Sequence, residues 1–299
     1  MSSAETSSVK IAGRPSRGGR RLPLSWVGIL PFLGYTGLFL LLPTAIVAVE
    51  AFTVKDGYGV GNFSQLTQPF LVRAFVNSVT LSASTALIGA VFGASLAYAV
   101  VTGNPDGILR RLVTSFCGVL AQFGGVTLAF AFIAAIAQQG LVTLFLQQHG
   151  IDIYPNGIWL FKLPGLVLVY SYFQVPLMVL IFLPALDGIR PQWREATESL
   201  GGGTWHYWRY VAGPLLLPAF LGATLLLFAN AFSAYATAAA LINQGGIIVP
   251  LQIANALTSE VGLASAGLAS ALALSMIVIV ATVMVLYSLL QRRTARWLR

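Results

Sequence analysis

Few residues in this chain could do covalent chemistry, and those few stand apart. His149 and His206 are far from each other in sequence, with no carboxylate cluster near either, unlike the close ligand spacings of metal sites. The single cysteine, Cys117, lies inside an apolar run, so neither a disulfide framework nor a thiolate site is expected. No G-x-x-x-x-G-K-[ST] occurs: Lys10 and Lys55 each follow Val, and Lys162 follows Phe. The chain is expected to bind no metal, no cofactor and no nucleotide itself. A membrane enzyme is also disfavoured, because no catalytic cluster of His, Asp, Glu or Cys forms.

One polar stretch does invite an explanation: REATESLGGGTWHYWRYVAGPLLLP, residues 194–218, between two long apolar runs. Pro191 suits the first turn of a helix, where its missing N–H costs nothing. The spacing predicts a short helix through QWREATESL, with Glu195 and Glu198 one turn apart on its polar face. Gly201 would end it by adopting positive φ. Thr204 is the expected N-cap of a second short helix, WHYWRYVA, stopped by Gly213 and Pro214. The simplest role is an interfacial hairpin, with Trp205, Tyr207, Trp208 and Tyr210 forming a membrane belt.

The elements that position this stretch are membrane spans. The 299 residues are 57% hydrophobic and 9% charged, with mean hydropathy +0.81; soluble domains carry about 25% charged residues. A spanning helix needs about 20 apolar residues, and six stretches qualify: about 26–50, 76–102, 112–136, 163–187, 214–242 and 265–290. The first follows basic residues, as a signal peptide would. Its apolar part is longer than a leader's and no small-x-small cleavage site follows, so it reads as a retained anchor. Of the 17 basic residues, all but Lys55, Arg73 and Lys162 fall in the N-terminal tail, the 2–3 loop, the 4–5 loop and the C-terminal tail. By the positive-inside rule both termini and the 4–5 loop are cytoplasmic. The net charge of +8 therefore reads as membrane orientation, not nucleic-acid binding. Residues 1–22, rich in Ser, Gly and Arg, are expected to be a disordered cytoplasmic tail, and 23–299 a transmembrane domain. A belt alone does not explain two acidic residues on a cytoplasmic loop; a helix made to enter a basic groove on a soluble partner does.

Within the spans, Gly89, Gly93 and Ala97 recur at four-residue spacing, and a similar small-residue run covers 264–271. Such stripes let helices approach closely, either inside one subunit or between subunits. Pro176 is expected to bend the fourth span after Tyr170, Tyr172, Phe173 and Gln174. In the fifth, Asn230, Ser233, Tyr235 and Thr237 are a polar minority, with Asn230, Ser233 and Thr237 on one face. They could line a path, together with Tyr170 and Phe173, or hydrogen-bond between helices. No carboxylate lies at midplane, since Glu50 and Asp187 sit at span ends. That weakens an ion- or proton-coupled carrier, which usually needs one.

The 4–5 loop resembles the EAA signature of permease subunits in binding-protein-dependent ABC importers: Glu-Ala-Ala, three residues, Gly, nine residues, Ile, one residue, Leu-Pro. Here it reads Glu195-Ala196-Thr197, then Gly201, then Val211, Ala212, Gly213 and Pro214. NFSQL (62–66), FVNSVTLS (75–82) and VPLMVLIFLPALDGIRPQWREA (175–196) also resemble that family, which covers about 62–290. The resemblance implies an all-α membrane protein of the type I ABC importer fold, with a cytoplasmic coupling helix between spans 4 and 5. It implies a prokaryotic plasma membrane setting and four kinds of partner. These are the lipid bilayer, a second, homologous permease in a heterodimer, two ATPase subunits that hold ATP and Mg, and an extracytoplasmic binding protein. Glu195, Ala196, Thr197, Glu198 and Gly201 would contact the ATPase, with Glu195 meeting a cation and Gly201 setting the angle between the short helices. Within the family the layout resembles the polyamine, ferric iron, thiamine and phosphonate branch. A sugar-type permease and a secondary transporter stand as alternatives.

Overall fold

The computed structural model describes residues 25–54, 57–103, 107–155, 157–242, 245–258 and 266–295. The tail 1–22, whose character the sequence predicts, lies outside them. The chain divides into two compact units, Met1–Ile46 and Val47–Arg299.

In the first unit, α1 (Ser25–Thr36) passes through a π turn, Gly37–Leu41, into α2 (Leu42–Ala51). The Leu42 N–H donates to the Gly37 carbonyl, five residues back. Pro43 follows and has no N–H for the expected carbonyl four residues back, a vacancy that a π turn absorbs. The apolar segment Ile29–Ala51 is the first span.

α2 runs on past Ile46 into the second unit, where it is followed by a hairpin of two-residue strands, β1 (Thr53–Val54) and β2 (Gly57–Tyr58), and the short α3 (Gly61–Gln65). Its centre is α4 (Pro69–Thr102) packed on α8 (Leu163–Asp187), with α11 (Gly213–Ser233) against both. The small-residue stripe explains the contact. A Cβ on Gly89 would lie 2.9 Å from the Gln174 Cβ, and one on Gly93 only 2.6 Å from the Val175 carbonyl oxygen. The stripe therefore serves packing inside the subunit. Gly267, in the second small-residue run, likewise packs on the Asn62 side chain, where a Cβ would stand 2.5 Å from Nδ2. The fourth span runs unbroken through Pro176 and Pro184.

Two spans differ from the pattern read in the sequence. The stretch 112–136 is not one helix. It is split into α5 (Ile108–Gln122) and α6 (Gly125–Ile136), and the third span is Gly125–Gln148, completed by α7 (Leu141–Gln148). Gly125 at φ +75° makes the break, a conformation that glycine adopts without strain. α5 instead lies on α8, and Arg110 forms an ion pair with Asp187. The fifth span also stops early, at Ser233. Ala234 and Tyr235 interrupt it before α12 (Ala236–Leu241), so Thr237 does not share a helix face with Asn230 and Ser233.

The motif residues Asn62, Asn77 and Ser78 are ties. Asn62 donates to the carbonyls of Ala51 (3.1 Å) and Thr53 (2.9 Å). Ser270, on α14 (Ala266–Ala295), donates to Glu50 Oε2 at 2.9 Å. Asn77 donates to the Ile247 carbonyl, and the buried Ser78 hydroxyl accepts the Val249 N–H at 2.9 Å, fixing the start of α13 (Val249–Thr258). Ser78→Ala leaves that N–H buried and unpaired, a loss of about 1–3 kcal/mol. Thermal denaturation of the purified variant in detergent is expected to show a lower midpoint.

Candidate coupling segment and pathway wall

The 4–5 loop folds as α9 (Pro191–Ser199), a glycine turn, α10 (Thr204–Tyr207) and a π turn, Trp208–Ala212, that leads into α11. Pro191 sits in the first turn of α9, as its fixed φ favours. The helix ends in a Schellman arrangement: the Gly201 N–H donates to the Glu198 carbonyl and the Gly202 N–H to that of Thr197, both at 2.9 Å. Gly201 has φ +78°, and a Cβ on Gly202 would press the Thr197 methyl at 2.8 Å. The second helix begins one residue earlier than the pattern suggests, with Gly203 and not Thr204 at the N-cap.

Gly213 occupies the position where the EAA pattern has Leu. Its N–H donates to the Trp208 carbonyl, and a Cβ there would come within 2.4 Å of that oxygen. At that spacing the pattern's leucine would press on the carbonyl oxygen, so the departure from the pattern fits the local backbone.

Only Trp193 and Thr197 of α9 turn inward, and the rest is exposed. The Thr197 hydroxyl donates to the Trp193 carbonyl. Glu198 is held by Arg194 at 3.1 Å. Glu195 is exposed and forms no ion pair among the described residues, and Ala196 and Gly201 are exposed beside it. Leu200, at the tip, is 89% exposed. Four of the five residues singled out in sequence thus stand on the free face, and Thr197 braces that face from within.

Behind the segment, Trp208 meets Tyr98 of α4 edge-on, with ring centroids 5.2 Å apart. Sequence reasoning assigned Trp208 to a membrane belt and overlooked Tyr98; neither spacing nor composition marks a contact between residues 110 apart. Trp205 and Tyr210 do face outward, at 69% and 67% exposure.

The residues proposed for a path separate into two groups. Asn230, Ser233 and Tyr235 are exposed on the bundle surface at the break in the fifth span. Tyr170, Phe173 and Thr237 are buried behind it. The Tyr170 hydroxyl donates to the Ala234 carbonyl at 2.8 Å, and Thr237 Oγ1 accepts the Gly125 N–H at 2.9 Å. The two interrupted spans are therefore tied at their breaks, by side chains that take up backbone groups the breaks set free.

The family model described as the binding-protein-dependent transport system inner membrane component matches residues 31–296. The chain belongs to that family. It is a permease, a transport subunit and not an enzyme, of a binding-protein-dependent ABC importer. The fold agrees: a chain in the crystal structure of a bacterial ABC transporter involved in the import of the acidic polysaccharide alginate superimposes with TM-score 0.73 at 18% identity, covering 90% of this chain and 95% of that one. A Haemophilus influenzae protein that bears the name ferric transport system permease protein FbpB 1 is 26% identical over 197 residues, and the match spans 64% of this chain and less than a third, 30%, of that relative's own length. The sulfate transport system permease protein CysW of Escherichia coli is 26% identical over 241 residues, 77% of this permease and 78% of its own length.

Proposed function

We propose that this permease forms half of the translocation path of an ATP-driven importer, with α9 as its coupling helix. Its partners are a second, homologous permease in a heterodimer, two ATPase subunits that hold ATP and Mg, and an extracytoplasmic binding protein. Both termini, including the tail 1–22, lie on the cytoplasmic side with α9, in line with the distribution of basic residues. The observation that carries this reading is the free face of α9, where Glu195, without an ion pair among the described residues, stands beside Ala196 outside an otherwise apolar bundle. ATP-driven closure of the ATPase pair would pull on that face and rock the spans as rigid bodies. The test is disulfide crosslinking of Ala196→Cys to cysteines on the ATPase, together with uptake in vesicles. Crosslinks and strict dependence on ATPase and binding protein are expected; gradient-driven uptake by this chain alone would overturn the reading.

Asn230, Ser233 and Tyr235 form the candidate pathway wall, with Tyr170, Phe173 and Thr237 as its support. An exposed amide and hydroxyls are costly against lipid and favourable against a polar path. The wall carries amide and hydroxyl groups and no carboxylate. Among polyamine, ferric iron, thiamine and phosphonate, this favours a neutral or anionic cargo over a polyamine, and a relative named for sulfate transport fits the same chemistry. Thermal shift of the cognate binding protein against these solutes, with sulfate included, is expected to single out one that carries an anion; stabilisation by polyamine alone would reverse the choice.

The Tyr98–Trp208 contact links the coupling segment to α4. Aromatic pairs contribute about 0.5–1.5 kcal/mol beyond their area, so Trp208→Ala is expected to loosen transmission without preventing assembly. Cargo moved per ATP hydrolysed should fall severalfold in proteoliposomes while hydrolysis continues.

A further inference from the structure

Behind α9 and α10, the ends of three spans leave a cleft in two parts. The apolar part, about 340 Å³, lies between α4, α8 and α11, with Ala94, Phe182, Leu216 and Phe220 among its walls. The second part, about 230 Å³, adds the polar groups of Thr102, Arg194, Thr204 and Tyr207 to apolar walls such as Val101 and Ile189. Tyr98, Leu186 and Trp208 line both, so the two parts adjoin at these three side chains. The coupling role described above uses none of this space.

We propose that the cleft seats one anionic membrane phospholipid, with acyl chain against Phe182, Leu216 and Phe220 and phosphate at Arg194, Thr204 and Tyr207. Size argues against a partner helix, which needs about 10–12 Å of width with its side chains. Position argues for lipid: the apolar part is lined by Tyr98 and Leu217, which are 42% and 45% exposed on the surface of the spans. Charge selects the headgroup. Arg194 uses Nε for Glu198, while its terminal nitrogens, like the hydroxyls of Thr204 and Tyr207, make no hydrogen bond among the described residues. No acidic residue lines either part. A guanidinium flanked by two hydroxyls at the end of an apolar slot matches phosphate, which arginine binds through paired N–H groups. Such a lipid would fill the space between the coupling segment and the span ends and stiffen their connection. The inference rests on family membership and on this geometry, and it stands or falls separately from the docking of α9.

The test uses the full chain, with the partners that purify with it, in phosphatidylcholine nanodiscs. These contain a trace of photoactivatable phosphatidylglycerol or, in a parallel sample, photoactivatable phosphatidylcholine. Labelled peptides are located by mass spectrometry. Phosphatidylglycerol is expected to label the segments around 94–98 and 216–220 about fivefold more than phosphatidylcholine, the advantage that one arginine near a membrane surface gives. Arg194→Gln should reduce the labelling to the phosphatidylcholine level, and Ser95→Phe, which fills the apolar part, should abolish it. Leu217→Trp fills the same space from the opposite wall, so a misfolded Ser95→Phe leaves the test intact. Equal labelling by the two lipids, or labelling that survives both filling variants, overturns the proposal. Loss of label on adding soluble glycerol phosphate would also overturn it, by identifying a site for free phosphate.

Discussion

Proteoliposomes carrying Glu195→Arg are expected to show no binding-protein-dependent uptake above background, although the variant inserts and folds like the parent. The residue is exposed on the free face of α9 and its side chain forms no ion pair among the described residues, so its replacement is expected to leave the fold intact. Its proposed partner is a cation on the ATPase. Reversing the charge sets like against like in an interface closed to water; truncating one member of such a pair alone costs about 2–5 kcal/mol. An effect of that size lowers coupled transport by at least about tenfold. Glu198→Gln is the informative comparison, because Glu198 is already neutralised by Arg194 at 3.1 Å. An exposed pair of that kind is worth about 0.2–1 kcal/mol, so uptake should fall little. Equal loss in both variants would mean that general acidity, not a single docking contact, is what α9 supplies. Normal uptake by Glu195→Arg would remove the coupling assignment altogether.

How much of this could be read from residues alone depended on whether the cause was local. The six spans follow from hydropathy, because a bilayer demands long apolar helices. The turn at Gly201 follows from a conformation that glycine adopts more readily than other residues. The third span was misplaced for a physical reason: 112–136 is apolar enough to cross, and only Gly124 and Gly125 hinted at the break between α5 and α6. No residue near Ala234 announces the second break; it is supported from afar, by Tyr170 and Thr237. The polar residues of the fifth span looked like one face because a continuous helix was assumed. Where the helix stops, Asn230 and Ser233 stay outside and Thr237 turns in. The Asn62, Asn77 and Ser78 ties likewise involve loops whose course no periodicity foretells.

The same substitution in two helices should act in opposite directions. In a helix interior, Gly→Ala ordinarily adds about 0.5–1 kcal/mol of stability by reducing backbone freedom in the unfolded chain. Gly118 of α5 has no atom within 4 Å of where a Cβ would go, so Gly118→Ala should leave the permease as stable as the parent or slightly more so. Gly93 has no such room. A Cβ there would be 2.5 Å from the Met178 Cβ and 2.6 Å from the Val175 carbonyl oxygen. The carbonyl is backbone and cannot swing aside, so α4 and α8 must separate, and overpacking of this kind costs about 1–3 kcal/mol. Gly89→Ala falls between them: the contact at 2.7 Å is the end of the Leu227 side chain, which can rotate, and the fixed contacts are the Gln174 Cβ at 2.9 Å and its backbone carbon at 3.2 Å. Denaturation midpoints in detergent should rank Gly118→Ala highest, Gly89→Ala next and Gly93→Ala lowest, with shifts of about 2–4 °C per kcal/mol. Transport should follow the same order, because α4 carries Tyr98 and a displaced α4 takes the contact with Trp208 out of register. If Gly93→Ala melts with the parent, the approach of α4 to α8 at Gly93 is wider than 2.6 Å allows, and α4 does not transmit motion through rigid contact with α8.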